Sequence, residues 1–138
     1  MTWLTAALEN HRVFAFIPMV ESLINMEENL HHYYRSFGGW PVAVAPYYLE
    51  EVVEVLGTAP DRLEKLAAIE DPYVYRERMT MPALQYSGSN DEFFLVDDSH
   101  FYFKDLPGEK HIFFPKNSEH ARESSLKQIA AVQSTFIY

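Results

Sequence analysis

Three short apolar runs divide this chain, and the helical material between them constrains the fold more than any other feature. Val13-Phe14-Ala15-Phe16-Ile17, Ala83-Leu84-Gln85-Tyr86-Ser87 and Lys110-His111-Ile112-Phe113-Phe114 carry strand-forming residues. Each is closed by a proline or glycine: Pro18, Gly88 and Pro115. The first run is apolar on both faces, which fits a strand covered from two sides as in parallel sheets. Strands separated by helices pair in parallel through right-handed crossovers. The expected fold is α/β, with about three parallel strands and flanking helices.

The intervening segments have their own punctuation. Residues 2–9 make two turns of helix. Residues 26–37 have helical character and are broken by Gly38-Gly39-Trp40-Pro41. Pro46 opens a helix over 47–56 that Gly57 closes, and Pro60-Asp61 opens another over 62–69 that Asp71-Pro72 stops. Residues from about 22 to 81 thus read as helical material set between two strands, the position of a cap or lid. A short aromatic-rich helix over 97–104 and a final helix over 122–133 complete the expectation. With 138 residues and no internal repeat, the chain forms one domain, residues 1–138.

Composition excludes several functions. A net charge of −9 offers no basic patch for phosphates, and Arg76 with Arg78 is too small a pair to change that, so no nucleic-acid partner is expected. The absence of cysteine removes disulfides, thiolate zinc sites and a Cys nucleophile together, and leaves the compartment open. No apolar run approaches the ~18 residues of a membrane span. The first residues lack the basic and apolar stretches of a signal peptide. An aromatic share of 15% implies a substantial core or a broad interface.

Catalytic groups of parallel α/β sheets gather at the carboxyl ends of strands. The second run ends at Gly88-Ser89-Asn90-Asp91, and the third leads to Asn117-Ser118-Glu119-His120. An acid and a histidine delivered in that order match the last two members of a Ser…Asp…His triad. The plainer reading makes Asn90-Asp91 an ordinary turn and His120 a surface residue; Glu92 is the neighbouring alternative acid. Ser87, Ser89, Ser99 and Ser118 lie near these loops, but none sits in a Gly-x-Ser-x-Gly elbow, whose sharp turn exposes the hydroxyl and supplies an oxyanion donor.

Two further patterns remain open. Glu27 with His31 and Glu28 with His32 are spaced i to i+4 on one helix. They suit either Zn²⁺ or Mn²⁺ ligation or a plain solvated face. Phe93, Phe94, Phe101, Tyr102 and Phe103 either line an apolar substrate pocket or pack helix on sheet. Tyr33, Tyr34, Tyr47 and Tyr48 offer themselves to a cleft in the interposed segment.

Several stretches in fixed order resemble the PhoPQ-activated pathogenicity-related family. They are the Arg12 to Pro18 run, Asn25-Met26-Glu27-Glu28-Asn29-Leu30-His31-His32-Tyr33-Tyr34-Arg35, Asp71-Pro72-Tyr73-Val74-Tyr75-Arg76, Asn90-Asp91-Glu92-Phe93-Phe94 and Asp105-Leu106-Pro107-Gly108-Glu109-Lys110. The family is similar to α/β-hydrolases and includes an autocrine proliferation repressor; its bacterial members are associated with virulence.

The resemblance implies a partial α/β-hydrolase fold in which Asp91 is the triad acid and His120 the histidine, with no cofactor and no metal. Its nucleophile pattern, Gly-x-Ser-Lys-Arg-Gly, precedes a stretch like Trp3-Leu4-Thr5-Ala6-Ala7, so the elbow would fall just before Met1. Relatives also continue beyond the position of Tyr138. The expectation is therefore a C-terminal part of the hydrolase domain, inactive alone, whose parent cleaves an ester, amide or peptide. Secretion or a periplasmic location follows from the same resemblance, while removal of the strand and helix before Val13 would leave an apolar edge unpaired, so homo-oligomerisation or a missing N-terminal complement is expected. A non-catalytic secreted binding module and a metal-dependent hydrolase are the competing expectations.

Overall fold

The computed structural model describes residues 1–56, 58–121 and 123–137. Gly57 and Arg122, expected to close one helix and open another, lie outside the described residues. Among the described residues there are five α-helices: α1 (Thr2–Leu8), α2 (Met26–Phe37), α3 (Ala45–Leu49), α4 (Pro60–Glu70) and α5 (Leu126–Ile137). Two strands, β1 (Ala83–Tyr86) and β2 (Lys110–Phe113), pair in parallel with Ala83 opposite Lys110 and Tyr86 opposite Phe113. The class is α/β, as the alternation of runs predicts.

The third expected strand is reduced, and Pro18 is the reason. The segment beside β1 touches it through two isolated parallel bridges, Phe16 with Ala83 and Met19 with Tyr86. The Phe16 N–H donates to the Pro82 carbonyl, and the Phe16 carbonyl accepts from Leu84. Two residues on, the Pro18 carbonyl accepts from Tyr86, and the Val20 N–H returns to the Tyr86 carbonyl. Pro18 holds the place whose N–H would reach across between those bonds, and proline has none to give. Pairing therefore continues past the residue expected to end it, while Phe14, expected inside, is 79% exposed.

Among the described residues, two apolar clusters hold α1, α2 and α4. Trp3, Ala6 and Ala7, spaced along one face of α1, pack with Phe16, Ile24, Met79, Met81, Ala83, Tyr102 and Leu106. The Trp3 ring meets Phe16 and Tyr102 edge-on, at centroid distances of 5.3 and 5.8 Å. The second cluster gathers Met26, Leu30 and Tyr33 of α2 with Val44, Val53 and Leu63. The positions 26, 30 and 33 recur at helical spacing, and Gly38 ends α2 in the left-handed conformation (φ 70°) that glycine adopts without strain.

Buried Asp71 ties the clusters together. Its Oδ2 accepts the Met26 N–H at 2.7 Å, and its Oδ1 accepts those of Asn25 and Tyr73 at 3.1 and 2.9 Å. It terminates α4 and caps the first turn of α2 across 45 residues of chain.

Other expectations shift. The helix over 47–56 is split: α3 stops at Leu49, Glu51 turns left-handed (φ 59°), and a 3-10 turn follows over Val52–Val55. The 97–104 helix is two 3-10 turns, Asp98–Phe101 and Phe103–Asp105. The last helix begins at Leu126 and runs to Ile137 rather than ending at 133.

Candidate active site

The loops after β1 and β2 can meet only because residue 88 has no side chain. A Cβ on Gly88 would lie 2.7 Å from the Ser118 carbonyl oxygen, 3.3 Å from the Asp91 Cβ and 3.4 Å from the Glu119 carbonyl oxygen. The Asn90 N–H donates to the Ser118 carbonyl at 2.9 Å, and the Ser118 N–H approaches the Ser89 hydroxyl at 3.4 Å. Below this seam, the Tyr86 hydroxyl bonds those of Ser118 and Ser125, and all three residues are buried.

Above the seam stand Asp91 and His120. His120 Nδ1 lies 3.2 and 3.1 Å from the two carboxylate oxygens of Asp91. The Asp91 side chain is 1% exposed and that of His120 is 32% exposed. Asp91 Oδ1 also accepts the backbone N–H groups of Phe93 and Phe94 at 2.9 and 3.1 Å, which fixes the orientation of the carboxylate. A carboxylate held so firmly on Nδ1 selects the tautomer with its proton there and leaves Nε2 as the acceptor. Among the described residues, none is hydrogen-bonded to Nε2.

The histidine is held by its ring and backbone as well. Phe93 meets the ring edge-on at 4.7 Å and Phe94 lies tilted at 5.6 Å. Glu92, the alternative acid, accepts the His120 backbone N–H at 3.1 Å, and that bond holds its carboxyl below the usual range. Glu92 thus positions the histidine's backbone, while Asp91 takes the ring.

His120 forms part of the wall of a pocket of about 160 Å³ shared with Glu21, Leu23, Tyr33, Tyr47, Phe93 and Phe94. The Glu21 carboxyl is pushed above its usual range, chiefly by desolvation, although the residue as a whole is exposed. Glu21 and Leu23 carry no signal in the sequence, since only the folded chain brings them to His120. Tyr33 and Tyr47 reach the pocket, whereas Tyr34 and Tyr48 stay 48% and 41% exposed. The aromatic series divides: Phe93 and Phe94 flank His120, Phe101 lies against His32, and Tyr102 fills the core.

Serines near the loops have other duties. Buried Ser87 receives a bond from the Gln85 amide, and Ser118 bonds Tyr86 and Ser125. Glu27, Glu28 and His31 are exposed, and His32 is grouped with Asp97 and Asp98 instead.

A model of the family described as PhoPQ-activated pathogenicity-related protein matches residues 1–138. The chain belongs to that family. It is also 38% identical, over 122 residues, to autocrine proliferation repressor protein A of Dictyostelium discoideum. That alignment covers 87% of this chain and 24% of the relative, so the chain spans about a quarter of the curated protein it matches. Among the described residues, no helix is long and apolar enough to cross a membrane.

Proposed function

We propose that this segment carries the acid and the general base of a serine-hydrolase triad on part of an α/β-hydrolase fold. The observation that carries the reading is the buried Asp91 carboxylate on His120 Nδ1, with an apolar pocket beside the ring. The order of the parallel elements supports it. The segment around Phe16, then β1, then β2 lie side by side in chain order, with the acid after β1 and the histidine after β2.

In this reading a serine hydroxyl from the family's Gly-x-Ser-Lys-Arg-Gly elbow gives its proton to His120 Nε2 as its oxygen attacks an ester or amide carbonyl. Asp91 stabilises the imidazolium so formed, and His120 returns the proton to the leaving group. Phe93, Phe94, Tyr33 and Tyr47 receive an apolar part of the substrate, and the helical residues 22–81 act as a cap. The elbow also supplies a backbone N–H for the oxyanion.

The test is a polypeptide in which the family's elbow segment precedes Met1, exposed to a fluorophosphonate probe. The elbow serine is labelled, and His120→Ala or Asp91→Asn slows labelling by about 10³-fold or more. Labelling indifferent to both substitutions overturns the assignment.

A second reading takes its support from the name of the Dictyostelium relative, an autocrine proliferation repressor. The family segment would then act as a binding module. Repressor activity that survives both substitutions favours this reading over hydrolysis.

A further inference from the structure

A second cluster of chemistry lies outside the acid–histidine pair. His32 of α2 meets Asp97 and Asp98 of the segment after Asp91, with donor atoms all within 4.8 Å of one another. His32 Nε2 stands 3.1 Å from Asp97 Oδ1. Its other nitrogen, Nδ1, has the Ser36 hydroxyl at 3.4 Å, the kind of outer partner that orients a ligating imidazole. The ring rests against Phe101, with centroids 5.0 Å apart.

Asp98 separates this cluster from an ordinary surface ion pair. The residue is 0% exposed, and its Oδ2 accepts the Tyr33 hydroxyl at 2.8 Å. Its Oδ1 is buried and has no hydrogen-bond partner among the described residues. A buried carboxylate oxygen left without a donor is costly, and a cation is one of the few groups able to satisfy it. The His32–Asp97 pair alone leaves that oxygen unanswered.

We propose that His32, Asp97 and Asp98 bind a divalent transition-metal ion of the Zn²⁺ or Mn²⁺ class. One imidazole nitrogen and two carboxylates suit such ions, whereas Ca²⁺ and Mg²⁺ take oxygen ligands throughout. Three protein ligands leave a position for water. The ligands come from two separate parts of the fold, so the ion fastens α2 to the stretch that continues from Asp91. Tyr33, which donates to Asp98 and also lines the His120 pocket, connects the clasp to that pocket. The role is structural: the ion holds the pocket wall in register with the acid loop.

The test uses the chain freed of metal by chelation and titrated calorimetrically with Zn²⁺ near neutral pH. One Zn²⁺ binds per chain, and His32→Ala and Asp97→Asn each weaken binding about tenfold or more. The Asp97 side chain is 62% exposed, so Asp97→Asn retains the fold, and circular dichroism checks the fold of both variants. His111→Ala, which removes an exposed imidazole paired with Glu109, leaves the affinity unchanged. Substoichiometric Mn²⁺ broadens the NMR signals of His32 and Phe101 ahead of those of His111. The absence of saturable one-equivalent binding overturns the proposal. So does binding that survives both ligand substitutions, or broadening centred away from His32.

Discussion

Gly88→Ala tests how tightly the two strand-end loops are joined. The added methyl would sit 2.7 Å from the Ser118 carbonyl oxygen, and ordinary contact begins near 3.4 Å, so 3.4 minus 2.7 leaves about 0.7 Å to be found. The obstacle is backbone, which does not swing aside as a side-chain tip would. The other near atoms belong to Asp91 and Glu119, so relief in any direction moves a loop bearing the acid or the histidine.

Overpacking of this kind costs about 1–3 kcal/mol. For a domain of this size that corresponds to a fall in Tm of roughly 4–12 °C. The Asn90–Ser118 bond at 2.9 Å stretches first, and the Asp91–His120 contact follows. Thermal unfolding reads the first effect, and the low-field imidazole proton of His120 reads the second. A variant with unchanged Tm and an unchanged His120 proton would refute the claim that Gly88 is required for the two loops to meet.

Other outcomes follow from the same structure. Asp71→Ala removes the acceptor for three backbone N–H groups, two of them opening α2, and costs about 2–4 kcal/mol by chemical denaturation; a cost below about 0.5 kcal/mol would contradict the capping role. The chain without an elbow segment is not labelled by a fluorophosphonate, because among the described residues no loop serine is bonded to the His120 ring; stoichiometric labelling of Ser87, Ser89, Ser99 or Ser118 would count against the assignment. Burial pushes the Asp98 carboxyl up to about 7 from 3.8. With metal withheld by a chelator, the folded state binds the extra proton between those values. Stability therefore falls as pH rises from about 4 to 7, by at most about 4 kcal/mol, and Asp98→Asn flattens that slope.

What the sequence discloses follows from how local each cause is. The apolar runs at 83–87 and 110–114 are read correctly because strand formers and terminating Gly or Pro act within a few residues. The spacing of Met26, Leu30 and Tyr33, and the stop at Gly38, are equally local. The fate of the first run was not legible, because an interrupted ladder depends on which Pro18 partner atom faces β1. Nor was the break at Glu51, which carries no glycine or proline to announce a left-handed residue.

At the candidate site, Asp91 and His120 were legible from their places after two strands and from the family resemblance. Their neighbours were not. Gly88 reads as a turn glycine until the opposite carbonyl is in place, and Glu21 reaches the pocket only through folding. Asp98 reads as a helix-start acid; its burial beneath Tyr33 is a long-range fact. His32 reads as a neighbour of Glu28 on its own helix, yet the acid at its Nε2, Asp97, comes from 65 residues away.

The most direct measurement is nitrogen-resolved NMR of the His120 imidazole at a pH where the ring is neutral. A proton on Nδ1 at unusually low field, an unprotonated Nε2, and loss of the low-field signal in Asp91→Asn are the expected result. A ring protonated on Nε2, or one whose spectrum ignores the Asp91 substitution, would contradict it.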